Sequence, residues 1–136
     1  RAALLSSMLL FIVGGGIGLM IKDSSTIITA HYHGTGGAVS LAFMGLTFHL
    51  LPRLGYREPD LKWATLMSYV YGAGQLLHIF GMLWSGGYGA QRKVAGGLHG
   101  FAQTAGMGLM GLGGLIAVVG GIMFLVIVFK AMRRLR

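Results

Sequence analysis

The chain contains 136 residues, of which 54% are hydrophobic and only 10% are charged, and its mean hydropathy is +0.72. Because soluble domains carry about a quarter charged residues, this composition excludes a water-soluble globular protein. The net charge of +8 does not indicate nucleic-acid binding, since the basic residues stand at the ends of apolar segments, where they set membrane topology. The absence of cysteine excludes disulfide bonds and thiolate metal sites.

Four runs without a charged residue divide the chain: 2–21, 24–52, 63–91 and 94–129. Each is long enough for a transmembrane helix, which needs about 20 residues. We predict an all-α fold of four transmembrane helices in one membrane domain, residues 1–136, that belongs to a larger helix bundle. The predicted spans are 2–21, 26–51, 63–84 and 98–129. The 25 glycines indicate close helix packing in a lipid bilayer.

The first span carries Gly14, Gly15, Gly16 and Gly18, whose lack of side chains lets another helix approach closely. It ends before Lys22. The second follows a stretch of hydroxyl residues that can cap a helix, contains two histidines, and ends in the polar loop 53–60.

The third span runs between two tryptophans, Trp63 and Trp84, and carries His78. A loop with Arg92 and Lys93 connects it to the fourth span, which is rich in glycine. His99 stands at the entry of that last span.

The basic residues are unevenly distributed over the two ends of the four predicted spans. Eight fall on one side and three on the other, which places both termini in the cytoplasm. The eight are Arg1, Arg53, Arg57, Lys62, Lys130, Arg133, Arg134 and Arg136, and the three are Lys22, Arg92 and Lys93. Because the chain starts with Arg1 and has no cleavage-type signal, we expect it to begin within a longer protein.

His31 and His33 are the strongest candidates for chemistry, because ionisable side chains at membrane depth are costly and usually functional. Two residues apart on a helix, they point about 200° apart around its axis. They are therefore poorly placed to chelate one ion and well placed to give one axial bond each to two hemes. Gly34 and Gly37 leave room for a flat macrocycle. The alternative is that both histidines are interfacial and bonded to neighbours or water.

The other histidines are more ambiguous. His49 lies about 27 Å along the helix axis from His31, so we expect a structural or interfacial role for it. His78 and His99 lie at a depth comparable to that of the histidine pair, and each remains open between heme ligand, propionate partner and core group. Arg92 and Lys93 are placed to hold heme carboxylates or to be solvated loop charges.

Several motifs resemble the catalytic subunit of heme-copper oxidases, the family of cytochrome c oxidases, quinol oxidases and nitric oxide reductases. The resemblance covers nearly the whole chain, from the ninth to the twelfth helix of that subunit. It rests on residues 11–18, 30–33, 51–56, Gln75, His78, Phe80, Gly81, Arg92 and Lys93.

The resemblance implies that His31 is the axial ligand of the high-spin heme at the catalytic centre and that His33 is the axial ligand of the low-spin heme. It also implies that Arg92 and Lys93 hold heme propionates. The family's copper ligands and second low-spin ligand lie in earlier helices, so copper or non-heme iron is expected outside this chain. Residues 24–29 replace the aspartate and histidine that the family usually carries ahead of the pair.

The resemblance implies an oxidoreductase that is active only as part of a complete respiratory complex in a prokaryotic cytoplasmic membrane. Its expected partners are the remaining helices of the catalytic subunit, other oxidase subunits, the lipid bilayer, and a cytochrome c, cupredoxin or quinol donor. The heme types stay open, as does the choice between oxygen and nitric oxide. We keep two alternatives: a four-helix diheme cytochrome b that anchors a dehydrogenase to the quinone pool, with His33 paired to His78 or His99, and a heme-free structural subunit.

Overall fold

A computed structural model describes residues 1–94 and 100–133. This part of the chain is all-helical, as the composition predicts. The four helices are α1 (Ala2–Gly18), α2 (Thr26–Arg53), α3 (Leu61–Gly87) and α4 (Phe101–Met132). Their bounds agree with the predicted spans to within about four residues.

Two of the described helices, α2 and α4, are long and apolar enough to cross a membrane. Helix α1 is apolar but has only 17 residues, three fewer than the predicted first span. The sequence prediction of four transmembrane helices therefore has support from two of the four helices, and the crossing of α1 and α3 stays a prediction.

Neighbouring helices run antiparallel and pack through glycines. At the crossing of α1 and α2, a Cβ atom on Gly14 would lie 2.7 Å from the backbone of Gly34. Helices α3 and α4 approach at least as closely, since a Cβ on Gly81 or Gly113 would overlap the backbone of the opposite helix. Small residues at such contacts are what close packing in a membrane requires.

Two hydrophobic clusters fill the interior, and the large apolar side chains outside them are mostly exposed. The first cluster is centred on Leu10, Ile17, Ala30, Ala38, Ile79 and Met82. The second is centred on Leu41, Met67, Tyr71, Ala117 and Ile127. An exposed apolar surface on this scale fits a lipid or protein environment better than water.

The loop after α3 is tied to the start of α2. The backbone N–H of Thr26 donates to the Ala90 carbonyl at 3.0 Å, and that of Arg92 donates to the Ser24 carbonyl at 3.0 Å. The buried hydroxyl of Thr26 also donates to the Met82 carbonyl of α3 at 2.8 Å. These bonds hold the first turn of α2 and the last turns of α3 at one end of the molecule.

Candidate functional site

Three of the predicted site histidines lie toward one end of the bundle, which we call the histidine end. His31 and His33 follow the start of α2 by five and seven residues, and His78 precedes the end of α3 by nine. Because the two helices are antiparallel, these positions fall at similar depths. His99 lies outside the described residues.

His31 is half-buried between α1 and α2. Its Nδ1 lies 2.8 Å from the carbonyl oxygen of Gly14 in α1. The ring fits beside this carbonyl because Gly18, one helical turn further along α1, has no side chain. A Cβ on Gly18 would stand 2.8 Å from Nδ1 of His31.

His33 lies on the other side of α2 and is exposed. Its Nδ1 lies 3.0 Å from the carbonyl oxygen of Thr29 in its own helix. Successive α-helical residues are about 100° apart, which puts these two imidazoles on nearly opposite faces. The sequence spacing predicts this divergence, and the different partners of the two rings agree with it.

The hydrogen bonds of His31 and His33 define their neutral tautomer. A carbonyl oxygen only accepts, so Nδ1 of each ring carries the proton and Nε2 keeps its lone pair. Within residues 1–94 and 100–133, Nε2 of neither ring makes a hydrogen bond. A backbone carbonyl on one ring nitrogen is the usual way in which a histidine ligand is oriented toward a metal.

His78 has an arrangement that repeats that of His31. Its Nδ1 lies 2.8 Å from the carbonyl oxygen of Met110 in α4. Four residues after Met110 comes Gly114, where a Cβ would stand 3.1 Å from the ring. Sequence reasoning missed this anchor. A glycine one turn beyond the accepting carbonyl is a signal, but it is informative only once the facing helices are known.

The rings of His33 and His78 are neighbours, with centroids 4.9 Å apart and planes tilted by 51°. This contact brings together one pair that the cytochrome b alternative requires. With metal–nitrogen bonds of about 2 Å, two imidazoles on one iron have ring centres about 6 Å apart. The observed separation is shorter, so in this arrangement the two rings do not bracket a single heme iron.

The basic pair Arg92–Lys93 also lies at the histidine end. The backbone bond from Arg92 to Ser24 holds the pair beside the segment that leads into α2. Arg92 is half-buried and Lys93 is exposed. Lys93 has a φ of +62°, a left-handed conformation that is uncommon for residues other than glycine and that occurs often at functional loops.

The space beside Gly34 and Gly37 is filled by residues of neighbouring helices. Gly34 packs on the backbone of Gly14, and a Cβ on Gly37 would stand 3.1 Å from the Gln75 side chain. Open space lies instead at Gly36, where a Cβ would meet no atom within 4 Å. Contact of Gly34 and Gly37 with a heme stays a prediction, and their observed role is helix packing.

His49 is exposed near the far end of α2 and takes no part in the histidine end. Among residues 1–94 and 100–133 there is no group of three or more histidine, cysteine or acidic side chains that could hold a metal ion. That finding concerns chelating sites only, because an axial bond to heme takes a single imidazole from the chain.

Comparison with known proteins gives two bacterial relatives. The chain is 36% identical over 143 aligned residues to the uncharacterized protein RP382 of Rickettsia prowazekii, a match that covers 97% of this chain and 28% of that protein. It is also 36% identical over 69 residues to an uncharacterized protein of Aquifex aeolicus, covering 51% of this chain and 18% of that protein. The chain thus spans about a quarter of the first relative. No family model and no solved structure matches it.

Proposed function

We propose that the chain is the C-terminal four-helix part of the catalytic subunit of a heme-copper oxidase, in which His31 binds the high-spin heme and His33 the low-spin heme. One observation carries the proposal most strongly. Two imidazoles diverge from one helix, each has its Nδ1 on a backbone carbonyl, and each is left with an Nε2 lone pair for iron.

The side chains present fit two hemes. His31 is positioned by α1, since its Nδ1 bonds to the Gly14 carbonyl and the ring lies against Gly18. His33 is free to receive a group that approaches from outside the four helices, because its ring is exposed. When bound, the hemes supply one-electron transfer and the site where oxygen or nitric oxide is reduced.

Arg92 and Lys93 serve the same site through charge. Heme carboxylates at the histidine end would lie near this basic pair, and charge-assisted hydrogen bonds to them would orient the cofactor. The backbone bonds at Thr26 and Arg92 keep the pair at a fixed position relative to the start of α2. The contribution of this chain is therefore axial ligation, spacing and electrostatic stabilisation.

The proposal requires further helices that hold the copper or non-heme iron and the second low-spin ligand. The length of the Rickettsia relative is compatible with this, since 72% of that protein lies outside the match. Its bacterial source and that of the Aquifex protein agree with location in a prokaryotic cytoplasmic membrane. The electron donor is a cytochrome c, a cupredoxin or a quinol.

The test is a reduced-minus-oxidised optical spectrum of the purified complex that contains this chain, recorded with and without carbon monoxide. We expect two hemes, of which one shifts with carbon monoxide. His33→Ala should remove the low-spin signal, and His31→Ala should spare it and remove the carbon monoxide shift. His49→Ala, a histidine remote from the site, is the matched control and should change neither signal.

The same spectra separate the alternatives. Two hemes that are indifferent to carbon monoxide would favour the anchor cytochrome, and a complex without heme would favour the structural subunit. The reverse assignment of the two variants would contradict the roles given to His31 and His33.

A further inference from the structure

A cavity of about 650 Å³ lies at the opposite end of the bundle from the histidine end. We call it the inner cavity. It is bounded by the loop between α2 and α3, the first turn of α3, and the last four turns of α4. Its most informative lining residues are Arg57, Glu58, Asp60, Trp63, Met123 and Lys130.

One wall of the inner cavity is apolar and elongated. It runs along α4 from Val119 to Lys130, a distance of about 16 Å at the rise of an α-helix. Ile122 and Val126 on this wall are about half exposed, at 55% and 46%. A wall of this length and character suits a hydrocarbon chain and offers nothing to a free inorganic anion.

The rim of the inner cavity carries charges of both signs. Arg57 and Lys130 contribute two cations, and Glu58 and Asp60 contribute two carboxylates. In the part of the chain that the structure describes, none of these four side chains forms a salt bridge. Unpaired charges of both signs around one opening are complementary to a ligand that itself carries both signs.

Internal hydrogen bonds fix the backbone around the cavity. The backbone N–H of Arg57 donates to the Ala131 carbonyl at 3.1 Å, which attaches the loop to the end of α4. Asp60 caps α3 by accepting from the backbone N–H groups of Lys62 and Trp63. The backbone that carries Arg57 and Asp60 is therefore fixed relative to the end of α4.

We propose that the inner cavity binds an aminophospholipid, with phosphatidylethanolamine as the best fit. Arg57 and Lys130 bind its phosphate, Glu58 and the uncapped oxygen of Asp60 accept from its ammonium group, and one acyl chain lies along α4. Basic pockets between membrane helices bind the phosphates of anionic lipid headgroups, and the two carboxylates of this rim add the preference for a headgroup with an ammonium group.

The rim charges distinguish between headgroups. A choline headgroup cannot donate hydrogen bonds to the two carboxylates, and a glycerol headgroup brings no positive charge to them. The proposal requires that α4 lie in a membrane, for which its length and apolarity qualify it, but it does not depend on heme binding at the other end.

The experiment uses the fluorescence of Trp63, which lines the inner cavity. The chain has two tryptophans, so Trp84→Phe leaves Trp63 as its only one, and the signal of the same complex with Trp63→Phe is subtracted as the background from other tryptophans. The complex is reconstituted in bilayers that contain brominated phosphatidylethanolamine, phosphatidylcholine or phosphatidylglycerol at equal mole fraction. We expect phosphatidylethanolamine to quench Trp63 with an apparent affinity up to about fivefold above that of the other two lipids, the size of an exposed ion pair.

Substitutions of the rim residues test whether their charges cause the preference for phosphatidylethanolamine. Arg57→Gln combined with Lys130→Gln should abolish the preference, and Glu58→Gln should make phosphatidylglycerol as effective as phosphatidylethanolamine. Lys62→Gln is the matched control, because Lys62 is an exposed cation at the same end that does not line the cavity; it should retain the preference. Native mass spectrometry of the unmodified complex gives an independent count of retained phosphatidylethanolamine.

Four outcomes would overturn the proposal. They are equal quenching by the three lipids in the parent protein, an unchanged preference in the double variant, stronger quenching by phosphatidylglycerol than by phosphatidylethanolamine, and shielding of Trp63 from every lipid. The last outcome would mean that a protein segment fills the cavity. None of the four bears on the heme spectrum, so the two proposals fail separately.

Discussion

The imidazole ring of His31 occupies the space that a side chain at Gly18 would fill. A Cβ on Gly18 would lie 2.8 Å from Nδ1 and 2.9 Å from Cε1 of that ring. The glycine thereby permits the hydrogen bond between His31 and the Gly14 carbonyl. At this position the absence of a side chain in the glycine-rich end of α1 leaves space for a histidine ring of the next helix.

Gly18→Ala is expected to displace the His31 ring and to break its bond to Gly14. Insertion of a methyl group into a filled contact costs about 1–3 kcal/mol of stability. In the heme-loaded complex we also expect the carbon monoxide shift to weaken, because the ligand is misaligned. Thermal unfolding and the optical spectrum measure the two effects.

Gly16→Ala is the control for this substitution, since a Cβ there meets nothing within 4 Å. Alanine is a better helix former than glycine by up to about 1 kcal/mol, so stability should stay equal or rise. If Gly18→Ala and Gly16→Ala had the same unfolding temperature and the same optical spectrum, the conclusion that Gly18 makes space for the His31 ring would be wrong.

Gly113→Ala should be more damaging than Gly18→Ala, because its added Cβ meets backbone rather than a side chain. The added Cβ would overlap the backbone nitrogen of His78 and lie 2.7 Å from the Gly74 carbonyl oxygen. Because backbone cannot turn aside as a side chain can, α3 and α4 must move apart, at a cost of about 3 kcal/mol or more. Thermal unfolding in detergent gives the loss.

Gly111 belongs to the same helix but has open space around it, so Gly111→Ala should leave the unfolding temperature nearly unchanged. A matching drop in both variants would contradict the assignment of the loss to the contact between α3 and α4, since alanine by itself favours the helix.

Thr26→Val should loosen the connection between the start of α2 and the end of α3. It removes the buried hydrogen bond from the Thr26 hydroxyl to the Met82 carbonyl, with a net cost of about 1 kcal/mol. Thr47→Val is the control, since the Thr47 hydroxyl bonds only to Phe43 in its own helix. Urea titration of both variants compares the costs, and an equal effect would contradict a special role for the Thr26 bond.

Some features of the histidine end follow from local sequence and others do not. The opposite directions of His31 and His33 follow from helix geometry alone. The contact between His33 and His78 could not be predicted, because spacing along the chain does not determine which helix faces pack together. For the same reason Gly34 and Gly37 are predicted as space for a macrocycle but are used by helix contacts.

The helices themselves were predictable because charge is nearly absent from their interiors and clusters at their ends. Their exact limits depend on caps that composition does not reveal. Asp60 accepts from two backbone N–H groups and so starts α3 two residues before the predicted span. At the end of the first span the chain leaves the helix after Gly18, although the apolar run continues to Ile21.

The transmembrane crossing of α2 and α3 is testable by labelling of single introduced cysteines, to which this chain adds no background because it has no cysteine of its own. Leu54 and Tyr88 are both exposed, at 69% and 63%, and lie in the loops at the two ends of α3. If α3 crosses the membrane with the predicted orientation, Tyr88→Cys reacts with an impermeant maleimide added outside intact spheroplasts. Leu54→Cys should react only after permeabilisation.

The same labelling tests α2. Asp23→Cys, in the loop between α1 and α2, should react from outside like Tyr88→Cys, because a crossing of α2 separates Asp23 from Leu54 on the cytoplasmic side. Labelling of Leu54→Cys and Tyr88→Cys from one side would mean that α3 does not cross. In that case the histidine end and the inner cavity would not face opposite surfaces of the bilayer.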